Sequence, residues 1–181
     1  MNCRSHEIDF GTCSIKNFIL LNDEELKEIL SWRNNKSIRC WMFNSKPIEW
    51  TEHIRFVGGL AHDDDNFYWR ATLSGTGLGV MYLKNMGRNR EAAELGIYVN
   101  PFYAGGGAGK RIMDALVKLG FEYFRLRSLT LKVFEDNHKA VRFYSGFGFT
   151  ATGIETVRRD VDSKQKNVIM MQKENMPIHH G

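Results

Sequence analysis

The sequence contains no apolar run close to the ~20 residues that a membrane-spanning helix needs. Cysteine is scarce, with 3 residues in a chain of 181, namely Cys3, Cys13 and Cys40. Their spacing matches no metal-ligand pattern and three thiols cannot all pair, which favours a reducing cytoplasm. The N-terminal residues are polar, so no secretory signal is expected. We therefore predict a cytoplasmic protein that holds no metal and does not enter a membrane.

A strong charge of either sign is also missing. The chain has 25 basic and 21 acidic residues, which gives a net charge of +4. This small, dispersed excess suits a small anionic ligand and argues against a nucleic-acid partner. The hydrophobic content of 43 % is ordinary for a globular protein. The length predicts one domain over residues 1–181, with a tail from about residue 174 that is expected to fray.

Glycine, by contrast, is concentrated in one segment, residues 105–109, between a strand that ends before Pro101 and an amphipathic helix. Glycines allow backbone N–H groups to approach a ligand closely. A helix start adds free N–H donors and a partial positive charge, which together suit a phosphate. Lys110 and Arg111 place two cations at the same point. The segment therefore predicts a diphosphate ligand.

Several folds bind diphosphates in this way, and the local pattern separates them. A nucleoside triphosphate loop needs Ser or Thr after Gly-Lys, where this chain has Arg111. The dinucleotide fingerprint needs a βαβ repeat, and none surrounds the segment. The pattern Val99-x-Pro101, followed by Gly107-x-Gly109 and a helix, instead resembles the acetyl-coenzyme A motif of the GNAT acetyltransferase superfamily. That family usually has Gln or Arg where this chain has Ala104. Because the three glycines at 105–107 keep the backbone cradle, we expect coenzyme binding to persist, with a weaker affinity or no change in affinity as the alternatives.

A second segment downstream also resembles the GNAT family. Its matching residues, in the family's order and spacing, are Asn137, Ala140, Tyr144, Gly148 and Phe149. The resemblance implies an α/β fold of the α+β mixed-sheet type, with helices flanking the sheet. It also implies that the central sheet opens as a V between the strands that end at Val99 and Phe134, where acetyl-coenzyme A enters.

Hydrophobic periodicity and turn residues predict an element order that agrees with this fold. The order is strand, two helices, three strands, helix, strand, helix and two strands. Caps at Asn22 and Thr51 predict the starts of two helices. The predicted strands are residues 15–21, 67–73, 78–85, 93–99, 129–134, 149–156 and 167–172. The later helices are predicted at 109–125 and 137–145, with a short helical piece at 37–42.

The resemblance implies a set of coenzyme-binding residues. Backbone N–H groups around Ile97 and Tyr98 would polarise the thioester, and Asn137 would hold the pantetheine amides, although it could also cap its helix. The full set is Ile97, Tyr98, Val99, Gly105, Gly106, Gly107, Ala108, Gly109, Lys110, Asn137, Lys139, Ala140 and Phe143.

Acyl transfer also needs an acid for the leaving thiolate and a base for the amine. Tyr144 occupies the family's acid position, with a core aromatic as the alternative. Glu135 is the first choice for the base and Glu94 the second. Solvated strand-end carboxylates, or removal of the proton by solvent, are the alternatives.

Four residues, Arg33, His53, Lys84 and Tyr98, the last also in the coenzyme-binding set, resemble acceptor-binding positions of the pseudaminic-acid pathway N-acetyltransferases. That subfamily acetylates the 4-amino group of a UDP-linked 4-amino-4,6-dideoxy-altrosamine derivative, and these positions contact the nucleotide. Each residue also has an ordinary structural role as its alternative. Arg33 could end its helix, and His53 could be a half-buried histidine. Lys84 could be a solvated strand end, and Tyr98 could belong to the core.

The acceptor is therefore predicted to be a small-molecule amine on a UDP-sugar. Alternatives are a protein N-terminus, a polyamine or an aminoglycoside, or a non-catalytic role as an acetyl-coenzyme A sensor. A homodimer is left open.

Overall fold

The computed structural model describes residues 4–87, 89–103, 106–158 and 165–175. In these ranges the helices are α1 (Asp23–Asn34), α2 (Lys36–Arg39), α3 (Trp50–Leu60), α4 (Ala108–Lys118) and α5 (His138–Gly146). The strands are β1 (Ile8–Asp9), β2 (Ser14–Asn17), β3 (Phe67–Leu73), β4 (Thr76–Lys84), β5 (Ala92–Val99), β6 (Ser128–Phe134), β7 (Thr150–Arg158) and β8 (Gln165–Glu174). None of the helices in the described ranges is long and apolar enough to cross a membrane.

The strands form one mixed sheet in the order β1-β2-β3-β4-β5-β6-β8-β7. β5 and β6 run parallel, and the neighbouring pairs on either side of them are antiparallel. A helical crossover containing α4 joins the two parallel strands, as a parallel pair requires. The predicted mixed α/β sheet with flanking helices is confirmed.

The sheet splits between its two parallel strands. β5 and β6 pair only at Ala92–Ser128, Ala93–Leu129 and Glu94–Thr130. Beyond Glu94, β5 continues along β4 as far as Val99, while β6 continues along β8. The two strands therefore present unpaired edges to each other, which confirms the predicted V.

Two apolar clusters cover the two faces of the sheet. On one face, α1 buries Ile29 and Trp32 against α3 and Val80 of β4. The predicted capping box starts α1, because the Asn22 side chain accepts from Glu25 N and the Glu25 carboxylate accepts from Asn22 N. The larger cluster contains α4 and the C-terminal strands. The N-terminal helices are thereby held beside one arm of the V.

Element boundaries differ from the predictions at a few places. The strand predicted over residues 15–21 corresponds to β2, which ends at Asn17. The Asn17 side chain accepts a hydrogen bond from Ile19 N and caps a 3₁₀ helix over residues 18–20. β1 was not predicted. Thr51 is not a cap, since α3 begins at Trp50 and residue 49 makes no side-chain cap hydrogen bond.

The predicted helix over residues 109–125 is two pieces, because α4 passes into a π-helical turn over residues 119–123. At the C-terminal end, β8 reaches Glu174, and Asn175 Nδ2 donates to the Leu126 carbonyl over 3.1 Å. The first two residues of the predicted frayed tail are therefore held, and the remainder lies outside the described residues. The predicted hairpin loop at 157–166 is shorter than expected, because β7 extends to Arg158 and β8 begins at Gln165, and residues 159–164 lie outside the described residues.

Candidate active site

Two adjoining cavities open between the arms of the V and beside it. The first, here called the cleft cavity, has a volume of about 210 Å³ and is lined by β4, β5, β6, α5 and the segment 37–43. The second, the lateral cavity, has a volume of about 370 Å³ and is lined by α1, α3, β3, β4, β5 and residues before α3. Both are lined by Met42, Phe43, Tyr82, Lys84 and Tyr98. Because they share these walls, the two cavities lie next to each other.

Tyr144 lies in the cleft cavity. α5 places its ring 5.5 Å from the Phe143 ring and 6.2 Å from the Phe149 ring, measured between centroids. Burial raises the pKa of the Tyr144 phenol to about 12, so the hydroxyl keeps its proton at neutral pH. Its hydroxyl has no hydrogen-bond partner among the described residues. The geometry gives a neutral phenol that can donate its proton into the cavity.

Asn137 caps α5 and also lines the cleft cavity. Its Oδ1 accepts from Ala140 N over 3.2 Å, which leaves the side-chain N–H₂ group for a ligand. The cap given as the alternative role is therefore present, and the residue also lines the cavity. Its contact with the pantetheine amides stays a prediction. Ala140 of α5 also lines the cleft cavity. Ile97 and Tyr98 of β5 line it from the opposite arm of the V.

The glycine segment turns directly into α4. Gly106 and Gly107 have φ values of 71° and 67°, the left-handed region that glycine adopts without strain. Gly109 lies close to α5, since a Cβ there would be 3.7 Å from the Phe143 ring and 3.5 Å from Val99. The start of α4 therefore lies beside the end of β5 and α5, and Ala108 is buried there. Ala104 and Gly105 lie outside the described residues.

The basic residues near this helix start point in different directions. Lys110 and Lys139 are exposed. Arg111 instead donates to the Gly106 and Thr12 carbonyls over 3.3 and 3.4 Å.

Val99 and Phe143 pack against the main core and are not part of the cavity lining.

The two candidate bases lie in different surroundings. Glu94 lines the cleft cavity, and its carboxylate lies 3.0 Å from the Lys84 ammonium. Glu135 is exposed and accepts from Asn167 Nδ2 over 2.9 Å, outside the lining of both cavities. The structure thus brings Glu94 together with Tyr144 and does not bring Glu135 there.

The four candidate acceptor-binding residues all line the lateral cavity. Arg33 donates from Nη2 to the Asn44 carbonyl, while its Nη1 is buried with no hydrogen-bond partner. Burial lowers the pKa of the guanidinium, and the phenols of Tyr98 and Tyr82 oppose that shift. A buried cationic donor without an acceptor is costly, so this atom indicates a place for a ligand acceptor.

His53 also has a buried polar atom without a hydrogen-bond partner. It is only 7 % exposed, and its Nε2 is buried without a partner. Burial lowers the pKa of the imidazole, with a hydrogen bond to the Leu26 backbone acting in the opposite direction. The ring therefore stays neutral near pH 7, between Phe18 and Trp50 at centroid distances of 6.4 and 6.2 Å.

Sequence reasoning missed the aromatic and methionine side chains that separate and wall the two cavities. They are Met42, Phe43, Phe56, Tyr68 and Tyr82. The strand register holds a signal for two of them, because Tyr68 lies opposite Tyr82 on β3 and β4. Two tyrosines at paired positions indicate one aromatic face.

Three features are typical of an acetyltransferase site: a sheet split at its parallel strands, a glycine turn that leads into a helix, and a neutral, half-buried phenol in the cleft. The family comparison agrees with this class. The chain belongs to the Acetyltransferase (GNAT) family, whose model matches residues 26–149. The family predicted from the two motifs is confirmed.

Among curated proteins, the Acetyltransferase PseH of Campylobacter jejuni (serotype O:2) is 34 % identical over 136 residues, which cover 75 % of this chain and 83 % of that protein. The Spermine/spermidine N(1)-acetyltransferase of Bacillus subtilis is 34 % identical over 56 residues, 31 % of this chain and 37 % of that protein.

Among solved structures, the Campylobacter jejuni N-acetyltransferase PseH in complex with acetyl coenzyme A superposes with a TM-score of 0.70 at 26 % identity, covering 91 % of this chain and 99 % of that chain. The spermidine N-acetyltransferase of Vibrio cholerae in complex with CoA and spermine shares the fold, with a TM-score of 0.80, 20 % identity and coverage of 91 % and 96 %.

Proposed function

We propose that this protein transfers an acetyl group from acetyl-coenzyme A directly to a primary amine, the 4-amino group of a UDP-linked 4-amino-4,6-dideoxy sugar. One observation carries the acceptor half of this proposal: Arg33 Nη1 and His53 Nε2 are both buried without partners in the lateral cavity. Buried polar atoms are normally hydrogen-bonded. An acceptor that offers oxygen to Arg33 and an N–H group to His53 would satisfy both.

A nucleoside diphosphate has those groups. Arg33 and Lys84 supply cations for the phosphate oxygens, and the neutral His53 ring can accept from the N–H of uracil. Phe18, Phe56 and Tyr68 give the same cavity aromatic surfaces for the base.

The charge of the cavity also weighs against a polyamine. Glu52 is the one acidic residue in the described lining of the lateral cavity, and the nearby Glu94 of the cleft cavity is paired with Lys84. The longer match to the PseH relatives, 75 % of the chain against 31 % for the spermine/spermidine enzyme, supports the same choice.

The residues of the cleft fit the acetyl-coenzyme A co-substrate. The turn at Gly106 and Gly107, the first N–H groups of α4 (Ala108, Gly109 and Lys110) and the predicted Gly105 would hold the diphosphate. The free edge of β5 at Ile97–Val99 would receive the pantetheine chain and the thioester carbonyl. From α5, the Asn137 amide would hold a pantetheine amide, Ala140 and Phe143 would pack beside it, and Lys139 would lie near the phosphates.

The chemistry follows from two side chains in the cleft cavity. Glu94 takes one proton from the acceptor ammonium, directly or through a water molecule, and the amine lone pair forms a bond to the thioester carbonyl carbon. The carbon–sulfur bond then breaks, and the leaving thiolate takes the phenolic proton of Tyr144. The nitrogen of the new amide releases its second proton, which restores the Tyr144 phenol through solvent, and Glu94 releases its own proton to solvent. The neutral Tyr144 phenol is suited to this role, and Glu135 lies outside the cavity. No acyl-enzyme forms.

A coenzyme A release assay tests this function, with acetyl-coenzyme A and a panel of amines: UDP-4-amino-4,6-dideoxy sugars, polyamines, aminoglycosides and N-terminal peptides. Turnover confined to the UDP-amino sugars is the expected result. Turnover of a polyamine or a peptide instead would overturn the acceptor and leave the acetyl transfer. Tight acetyl-coenzyme A binding without any turnover would favour the sensor alternative.

Two further proposals concern the setting of the protein. Cys13 and Cys40 are free thiols, which supports the predicted reducing cytoplasm. A homodimer remains a proposal as well, and sedimentation equilibrium of the full chain decides it directly.

A further inference from the structure

Tyr82 and Gly96 lie directly opposite each other on β4 and β5. The Tyr82 ring crosses the face of Gly96, because a Cβ at residue 96 would lie 2.1 Å from both Cζ and Oη of the phenol. Gly96 has no positive φ, so its backbone does not require glycine. The absence of a side chain at residue 96 therefore serves to seat the phenol.

The ring is held on several sides. The Tyr68 ring packs on it at a centroid distance of 5.1 Å, and the Lys84 ammonium lies 5.1 Å from its centroid. Lys84 is in turn fixed by Glu94. The Tyr82 hydroxyl has no hydrogen-bond partner among the described residues, and burial raises its pKa. A fixed ring with a neutral, unengaged hydroxyl can orient a ligand.

The position of Tyr82 decides which ligand it meets. It lines both cavities, with Tyr144 and Ile97 on one side and Arg33 and His53 on the other. An amine that extends from the lateral cavity to a thioester in the cleft must pass this residue. The coenzyme, which lies along the unpaired edge of β5, does not need to.

We propose that Tyr82, seated across Gly96, is the positioning residue for the acceptor, where its hydroxyl donates a hydrogen bond to the acceptor beside the reacting amine and its ring limits how deeply the acceptor enters. This inference rests on the proposed acetyl transfer to a UDP-amino sugar. It adds the residue that aligns the amine with the thioester.

Gly96→Ala provides the sharpest test, because the new methyl group displaces the phenol without altering any proposed catalytic group. The kcat/KM for the acceptor should fall by about tenfold or more, as expected for a misaligned reactant, while the KM for acetyl-coenzyme A stays within about twofold. Tyr82→Phe keeps the ring and removes the hydroxyl, so it should lose about fivefold in kcat/KM for the acceptor. Gly58→Ala is the matched control, since a Cβ at Gly58 meets nothing within 4 Å.

The double variant separates positioning from general damage. If the methyl group acts through the phenol, Gly96→Ala should cost almost nothing further in a Tyr82→Ala background. Equal costs in both backgrounds would overturn the proposal, and so would wild-type acceptor kinetics in both Gly96→Ala and Tyr82→Phe. A wild-type protein that acetylates no UDP-amino sugar would overturn the proposed function, and this inference with it. An active wild type with unaffected variants would overturn this inference alone.

Discussion

The Lys84 ammonium and the Glu94 carboxylate lie 3.0 Å apart on the paired strands β4 and β5. Lys84 lines both cavities and Glu94 lines the cleft. One ion pair thus joins a cation expected to meet the acceptor's diphosphate with a carboxylate expected to take the amine's proton. A diphosphate that draws Lys84 toward itself would leave Glu94 freer to act as a base.

Glu94→Gln should lower kcat by about a hundredfold at neutral pH, because the amide cannot accept the ammonium proton. Glu135→Gln is the matched control, with the same chemical change outside the cavities, and should keep kcat within about twofold of wild type. Steady-state kinetics of both variants decide the assignment. The reverse ranking would return the base to Glu135.

Tyr144→Phe should also lower kcat by about a hundredfold, because the thiolate then leaves without its proton donor. Calorimetric titration should show unchanged affinity for acetyl-coenzyme A. Since burial raises the pKa of this phenol to about 12, its ionisation should produce no alkaline limb in the wild-type rate below about pH 10. Wild-type turnover in the variant would contradict the acid role.

Arg33→Met should raise the KM for the UDP-amino sugar by about tenfold or more, the cost of losing a charge-assisted hydrogen bond. The free energy of unfolding should change little, because the loss of the Nη2 hydrogen bond to the Asn44 carbonyl is offset by removal of the buried Nη1 donor that has no partner. Arg55→Met, at an exposed position on α3, is the control and should change neither quantity. Urea denaturation gives the stability, and an Arg33 variant that loses stability but keeps its KM would make this residue structural.

His53 should make stability depend on pH. Burial lowers its pKa below the ordinary value of 6.5, so the unfolded chain takes up a proton at higher pH than the folded chain does. The free energy of unfolding should therefore fall as the pH drops below about 6.5 and through the lower folded value.

Urea denaturation at pH 7 and pH 5 measures this effect. The decrease in the free energy of unfolding between pH 7 and pH 5 should be smaller in His53→Asn than in wild type. The exposed control His62→Asn should show the same decrease as wild type. An identical fall in all three proteins would show that other groups cause it.

Local patterns predicted most of the fold, because each predicted helix or strand has its own cap, period or turn. Asn22 and Glu25 form the predicted capping box, and the two motifs identify the family. Boundaries were wrong where tertiary or unforeseen local contacts decide them, as at Asn17, whose side chain turns the first strand into a 3₁₀ helix, and at the π-helical turn that ends α4.

The site was predictable only where a residue belongs to a motif. Tyr144 and Asn137, which the structure places in the lining of the cleft cavity, were selected in this way, and their roles stay predictions. The choice between Glu94 and Glu135 depends on which way each strand end faces, and sequence distance does not reveal that. Tyr82 was missed because its role arises from the residue across the strand pair, Gly96, 14 positions later in the chain.

β5 and β6 are joined by three residue pairs, so the last part of the sheet is linked to the rest by a short stretch of backbone pairing. β6, β8 and β7 pair extensively with one another, so their amides should exchange with solvent in shared opening events rather than one by one. A ligand that contacts both β5 and β6 should stabilise the two parts of the sheet against opening. Its binding should therefore slow hydrogen exchange along β6 and β8, including at residues that the ligand does not contact.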